Sequence, residues 1–89
     1  MRNNRIDNVV SFKLSESKCK VRAYIFKNEK DLIRYNECFK NHDDVYFYMG
    51  DVHISGVIKT IECKCEDLGE FISRNVAYIE LVDIDVRDK

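Results

Sequence analysis

Apolar and polar residues alternate with a period of two over much of this chain, the pattern of half-buried strands. Val10, Phe12 and Leu14 alternate with Ser11, Lys13 and Ser15. Cys19, Val21, Ala23 and Ile25 form the inward face of a second strand, with Lys18, Lys20 and Arg22 opposite. The polar Glu16-Ser17-Lys18 between them reads as a turn, so the chain opens with a β-hairpin. The period then changes. Asn28 is a good N-cap, Asp31 places a carboxylate in the first turn, and Leu32, Tyr35 and Phe39 fall at i, i+3 and i+7. An amphipathic helix is expected from Glu29 to about His42, ended by Asp43-Asp44.

Val45 to Met49 returns to a short, aromatic-rich strand, and Gly50-Asp51 has the chemistry of a two-residue hairpin turn. Val52 to Cys65 reads as extended throughout, with Gly56 marking a bulge, a bend or a second tight turn. Cys65 to Ser73 reads as a loop with a short helical turn. Val76 to Val86 is the most apolar strand, apolar on both faces and therefore central in its sheet, with a slip of phase near Val82-Asp83. The order ββαββ(α)β predicts an α+β fold, a mixed sheet with one main helix, β-grasp-like. A reversal at Gly56 would give αβββαβ, a nuclease-like core, and loss of the first strand would give a ferredoxin-like split β-α-β.

Length and composition narrow the class. Eighty-nine residues, 45% hydrophobic and 35% charged, suit a single globular domain spanning residues 1–89. Ile and Val supply 18 residues against four Leu and two Ala, a bias toward strands. Scarce Ala and Gly with no Pro suit an AT-rich genome, such as a low-GC bacterium or its phage. No apolar run approaches the roughly 20 residues that cross a bilayer, so no membrane partner is expected. The N-terminus lacks a secretion signal's apolar core, which points to a cytoplasmic protein with reduced cysteines.

Charge is uneven. Residues 1–42 hold ten Lys/Arg against five Asp/Glu, and residues 43–89 hold five against eleven. One consequence is pairing inside the sheet, with Lys13, Lys20 and Arg22 facing Glu80, Asp83 or Asp85. The other is a bipolar surface, built from Lys18, Lys20, Arg22 and Tyr24 at one pole and Asp83 and Asp85 at the other. Such a surface suits a partner protein or a second copy of the chain. Lys18, Lys20, Arg22, Tyr24 and Phe26 on one strand face, with Arg2 and Arg5, could also touch phosphates and stack bases. The slightly acidic whole, and the chance that Tyr24 and Phe26 are core beneath the helix, disfavour that nucleic-acid partner.

Two catalytic or metal patterns stand out. Asp51, ten further residues and then Glu62-Cys63-Lys64 resembles the PD-(D/E)xK nuclease signature. The resemblance implies two carboxylates on a divalent metal, a Lys on the same strand face orienting water, and a helical carboxylate from Glu29 or Glu37. Gly50 stands where that family has Pro. Asp51 reaches Glu62 only if the chain reverses near Gly56, and no such site is expected. Cys38, His42, Cys63 and Cys65 are the other possible ligand set, without the C-x-x-C pair of structural zinc sites. Burial of the cysteines, Cys63 beside Ile61 above all, is expected instead. The resulting expectation is a cofactor-free, non-enzymatic protein-binding module. A small phage or bacterial inhibitor, immunity or anti-defence protein that occludes a partner would fit, with a metal-dependent nuclease or nucleic-acid-binding domain as the alternative.

Overall fold

Residues 4–67 and 73–88 are described by a computed structural model of the chain. The elements follow as β1 (Val9–Leu14), β2 (Lys20–Phe26), α1 (Glu29–Asn41), β3 (Asp44–Met49), β4 (Val52–Asp67) and β5 (Ser73–Asp88). The five strands form one sheet in the order β1-β2-β5-β4-β3, and every pair in it is antiparallel. This is a small α+β domain with one helix and a five-stranded antiparallel sheet, so the mixed sheet expected from the sequence does not form. β5 lies between β2 and β4, as its apolar character on both faces predicts. The ferredoxin-like alternative fails because β1 forms and pairs with β2 along its length. The short helical turn expected between Cys65 and Ser73 is not seen at Cys65–Asp67, which extend β4, and residues 68–72 lie outside the described residues.

Local chemistry sets the boundaries. Asn28 Oδ1 accepts hydrogen bonds from Lys30 N at 3.0 Å and Asp31 N at 3.4 Å, closing the start of α1. His42, in the left-handed region at φ 55°, ends the helix as its N–H reaches back to the last-turn carbonyls. Gly50, at φ 60°, and Asp51 make the tight β3–β4 turn, with Met49 paired to Val52. β4 then runs unbroken through Gly56, so the reversal that an αβββαβ core needs does not occur. Register shifts instead appear at Ser55/Val57 and Ile58/Thr60. At the first of these a Cβ on residue 56 would meet the Val82 carbonyl oxygen at 2.8 Å. The slip at Val82-Asp83 is its counterpart, with Asp83 at φ 52°.

One face of the sheet carries the core. Val21, Ala23 and Ile25 of β2, Ala77, Ile79 and Leu81 of β5, Ile54 and Ile58 of β4, and Val45 and Phe47 of β3 are buried beneath Leu32, Tyr35 and Cys38 of α1. Cys38 replaces the expected Phe39, which stays 36% exposed in the last turn. The reason is the N-terminal arm. Asn4–Ile6 run beside β3, with Ile6 N bonding Tyr46 O at 2.8 Å and Tyr46 N bonding Asn4 O at 3.1 Å. Asn4 Oδ1 also lies 3.8 Å from Cys38 Sγ.

Three residues after Ile6 the chain enters β1, at the opposite edge of the sheet. The sheet must therefore curl until its edges approach, and the rings of Phe12 and Phe47 meet at 5.8 Å. Tyr35 locks the crossing. Its hydroxyl accepts from Asp7 N at 2.7 Å, while Arg34 pairs with Asp7 at 3.1 Å.

Candidate functional site

The sheet face turned away from α1 gathers most of the side chains singled out above. Alternation on β2 sends Val21, Ala23 and Ile25 inward, so Lys20, Arg22, Tyr24 and Phe26 must project outward. Antiparallel register then sets Arg22 beside Glu80, Tyr24 beside Tyr78 and Phe26 beside Val76. On the far side of β5, Glu62 aligns with Tyr78 and Lys64 with Val76. On β1, Lys13 stands opposite Arg22 and Ser11 opposite Tyr24. Tyr24 and Phe26 are thus not beneath the helix.

At the centre is an aromatic and cationic cluster. The Tyr24 and Tyr78 rings lie 5.0 Å apart at a tilt of 55°. The Arg22 guanidinium sits 4.3 Å from the Tyr78 ring centre, and Lys64 Nζ 5.5 Å from it. Glu62 joins both cations at 3.4 Å, through pairs about half exposed to water. Ion pairs so exposed are worth little in stability, on the order of 0–1 kcal/mol. Ser11, Lys13, Arg22, Tyr24, Lys64 and Tyr78 line a depression of about 390 Å³. A second depression of about 390 Å³ also touches Lys13 and Arg22 and extends toward Lys20 and Glu80.

The remaining candidates scatter. Lys18 lies in the β1–β2 turn at φ 58°, off the strand face. Asp83 occupies the β5 bulge, and Asp85 pairs with Arg87 at 2.9 Å and with Ser55 in register. Neither aspartate faces β2, whose pairing with β5 ends at Lys20 and Val82. Of the expected cross-strand charge partners, Arg22 and Glu80 stand directly opposite in register and Lys20 lies diagonal to Glu80. In the sheet the strands of the basic half, β1 and β2, lie side by side and meet those of the acidic half, β5, β4 and β3, along the β2–β5 seam.

Asp51 lies in the β3–β4 turn, eleven residues before Glu62 on a continuous strand. At about 3.3 Å per residue that is roughly 30 Å or more, too far to share a metal. Glu29 and Glu37 ride on α1, across the sheet from Glu62 and Lys64. The nuclease constellation is therefore not assembled.

The proposed metal ligands separate as well. Cys38 is buried under the N-terminal arm, and His42 has left the helical face. Cys63 is exposed rather than buried beside Ile61. Its register partner Ala77 is core, but the buried stripe of α1 does not extend over this end of β4. The side chain of Cys65 lies outside the described residues. Among the described residues no three metal-binding side chains converge.

Cys19, expected inward, is exposed in the turn before β2. Its Sγ lies 2.8 Å from Ser17 Oγ, and that hydrogen bond pulls the thiol pKa below its ordinary value. A second aromatic group, Tyr46, Tyr48 and His53, occupies the β3–β4 end of the open face, with Arg5 over Tyr48 at 5.5 Å. Sequence reasoning missed Tyr78 and Ser11, whose placement depends on pairing between distant strands. Among the described residues no helix is long and apolar enough to cross a membrane. No family model, curated protein or solved structure matches the chain.

Proposed function

We propose that the chain is a non-enzymatic protein-binding module of the small-inhibitor kind, which occludes a partner with the open face of its sheet. One observation carries this reading: Tyr24, Tyr78 and Arg22 are held against one another on a solvent-facing sheet, in contact with the lysine Lys64. Tyr and Arg dominate the energetic centres of protein interfaces. Side chains already ordered by ring and cation contacts lose less freedom on binding, so more of the contact energy appears as affinity. A mixed rim of Lys13, Lys20, Glu62 and Glu80 supplies the polar border of such an interface.

Capture from a low-GC bacterial lysate, run in parallel with three forms of the chain, tests this reading. The wild type and Ile33→Ala, altered on the outer face of α1, should retain the same bound protein. An Arg22→Ala/Tyr78→Ala double variant should lose it. Equal capture by all three would remove the open face as the working surface. Mg²⁺- or Mn²⁺-dependent cleavage of DNA or RNA by the purified chain, abolished by Glu62→Gln and Lys64→Ala with folding intact, would replace the binding module with an enzyme.

A further inference from the structure

Lys13 and Arg22 are directly opposed on neighbouring strands, and Lys20 lies diagonal to Lys13. Like charges opposite each other weaken a sheet. Glu62 reaches only Arg22 and Lys64 among the described residues. Among the described residues Lys13 and Lys20 make no ion pair, and Glu80, although in register with Arg22, makes none either. The two depressions of the open face meet along the Lys13–Arg22 pair, one continuing onto the Tyr24–Tyr78 rings. Glu16 and Glu80 line the depression that extends toward Lys20, but neither pairs with Lys13 or Lys20, whose ammonium groups therefore adjoin the aromatic floor without an ion pair of their own.

We infer that this corner docks an acidic segment of the partner protein, seating one carboxylate between Lys13 and Arg22 and an aromatic side chain against Tyr24 and Tyr78. The inference rests on the binding-module reading and assigns its ligand. A carboxylate accepts the paired N–H groups of a guanidinium, an arrangement stronger than a neutral hydrogen bond. The tyrosine edges and faces offer tilted packing to a third ring. Glu62 and Glu80 decide between a protein segment and a nucleic-acid strand. They stand on β4 and β5, both on the side of Arg22 away from Lys13, so a continuous polyanion crossing the sheet from Lys13 over Arg22 next meets carboxylates. A side chain carrying a single negative charge does not.

Fluorescence anisotropy with the purified full chain tests the assignment. The probes are a labelled peptide of aspartate and phenylalanine spaced by glycine, the same peptide with asparagine for aspartate, the same with alanine for phenylalanine, a lysine-for-aspartate version, and single-stranded oligo-dT. The acidic aromatic peptide should bind, and each altered peptide should bind about tenfold or more weakly, the loss expected when one charged or packed partner goes. Arg22→Glu and Lys13→Glu should abolish binding, Ile33→Ala should leave it unchanged, and rising salt should weaken it. Circular dichroism confirms folding of each variant, and both charge changes fall on exposed side chains.

Tighter binding of oligo-dT than of any peptide, lost in the same variants, would overturn the assignment in favour of a polyanion. So would indifference of the peptide to Arg22→Glu and Lys13→Glu. If no peptide binds while lysate capture still depends on Arg22 and Tyr78, the acidic-segment assignment falls and the open face stands. If capture ignores those residues too, both fall.

Discussion

Substituting Gly56 by alanine tests whether the bulged contact between β4 and β5 is what demands a glycine. A Cβ at this position would lie 2.8 Å from the Val82 carbonyl oxygen, 2.9 Å from Ile84 Cγ2 and 3.3 Å from Leu81 Cβ. The Ile84 methyl can rotate away. The Val82 carbonyl belongs to the backbone of the central strand, and it falls about 0.6 Å short of the 3.4 Å at which ordinary contact begins. Overfilling a packed site costs roughly 1–3 kcal/mol. Alanine returns roughly 0.4–1 kcal/mol by restricting the unfolded chain. The net expectation is a loss of about 1–2 kcal/mol. With a urea dependence on the order of 1–3 kcal/mol per molar, the unfolding midpoint should fall by roughly 0.5–1 M.

Tyrosine fluorescence can follow the transition, since the chain has no Trp. Gly50 is the control, because nothing lies within 4 Å of its would-be Cβ and its φ is +60°. Its alanine variant should lose about 1–2 kcal/mol through conformation alone, and Gly50→Asn should recover much of that. A Gly56→Ala protein as stable as the wild type would refute the steric account of the bulge.

Tyr35→Phe removes the acceptor of Asp7 N and should cost about 1 kcal/mol by urea unfolding, with faster hydrogen exchange at the Asp7 amide. Burial raises the Tyr35 pKa above its ordinary value of 10.0, so the unfolded chain releases this proton first. Stability is then unaffected by this group below pH 10 and falls as pH climbs toward the folded-state pKa, and the Phe variant should show a shallower alkaline decline. Cys19 should react with a thiol reagent well before buried Cys38, and Ser17→Ala should slow it near neutral pH by removing the hydrogen bond that favours the thiolate. Equal rates for Cys19 and Cys38 in the folded protein would contradict this.

Elements governed by local chemistry were legible in the residues. Asn28, Gly50-Asp51 and the Val82-Asp83 slip each mark a boundary through the conformation or hydrogen bond that their own side chains favour. The facing of β2 was legible in part: Val21, Ala23 and Ile25 read as inward, while Tyr24 and Phe26 left the opposite alternation partly apolar and open to a place beneath the helix. What decides it is β5, whose Ala77, Ile79 and Leu81 meet the first set in register and whose Tyr78 and Glu80 meet the second. That pairing spans about 50 to 60 residues of chain and leaves no local trace. Ile6, alone in a polar stretch, gave no period to read, yet the arm it anchors buries Cys38 in place of Phe39. The candidate site follows the same rule. Lys20, Arg22 and Tyr24 were visible on one strand, while Lys13, Tyr78 and Lys64 join them only through the sheet.

If the Lys13–Arg22 opposition exists for binding, stability and binding should respond to it with opposite signs. Lys13→Glu converts a like-charged cross-strand pair into a complementary one, and pairs of this type differ by roughly 0.2–1 kcal/mol. Both side chains are exposed, so the gain belongs at the low end and should fade as salt rises. The variant should therefore unfold at slightly higher urea in low salt, match the wild type in high salt, and lose the acidic aromatic peptide at every salt concentration. A purely structural role predicts otherwise, since a residue placed only to complete the sheet would not be improved by reversing its charge. Lower stability of Lys13→Glu in low salt would mean that the lysine already has its counter-charge within the fold, and the corner would then have no unmet demand for an anion.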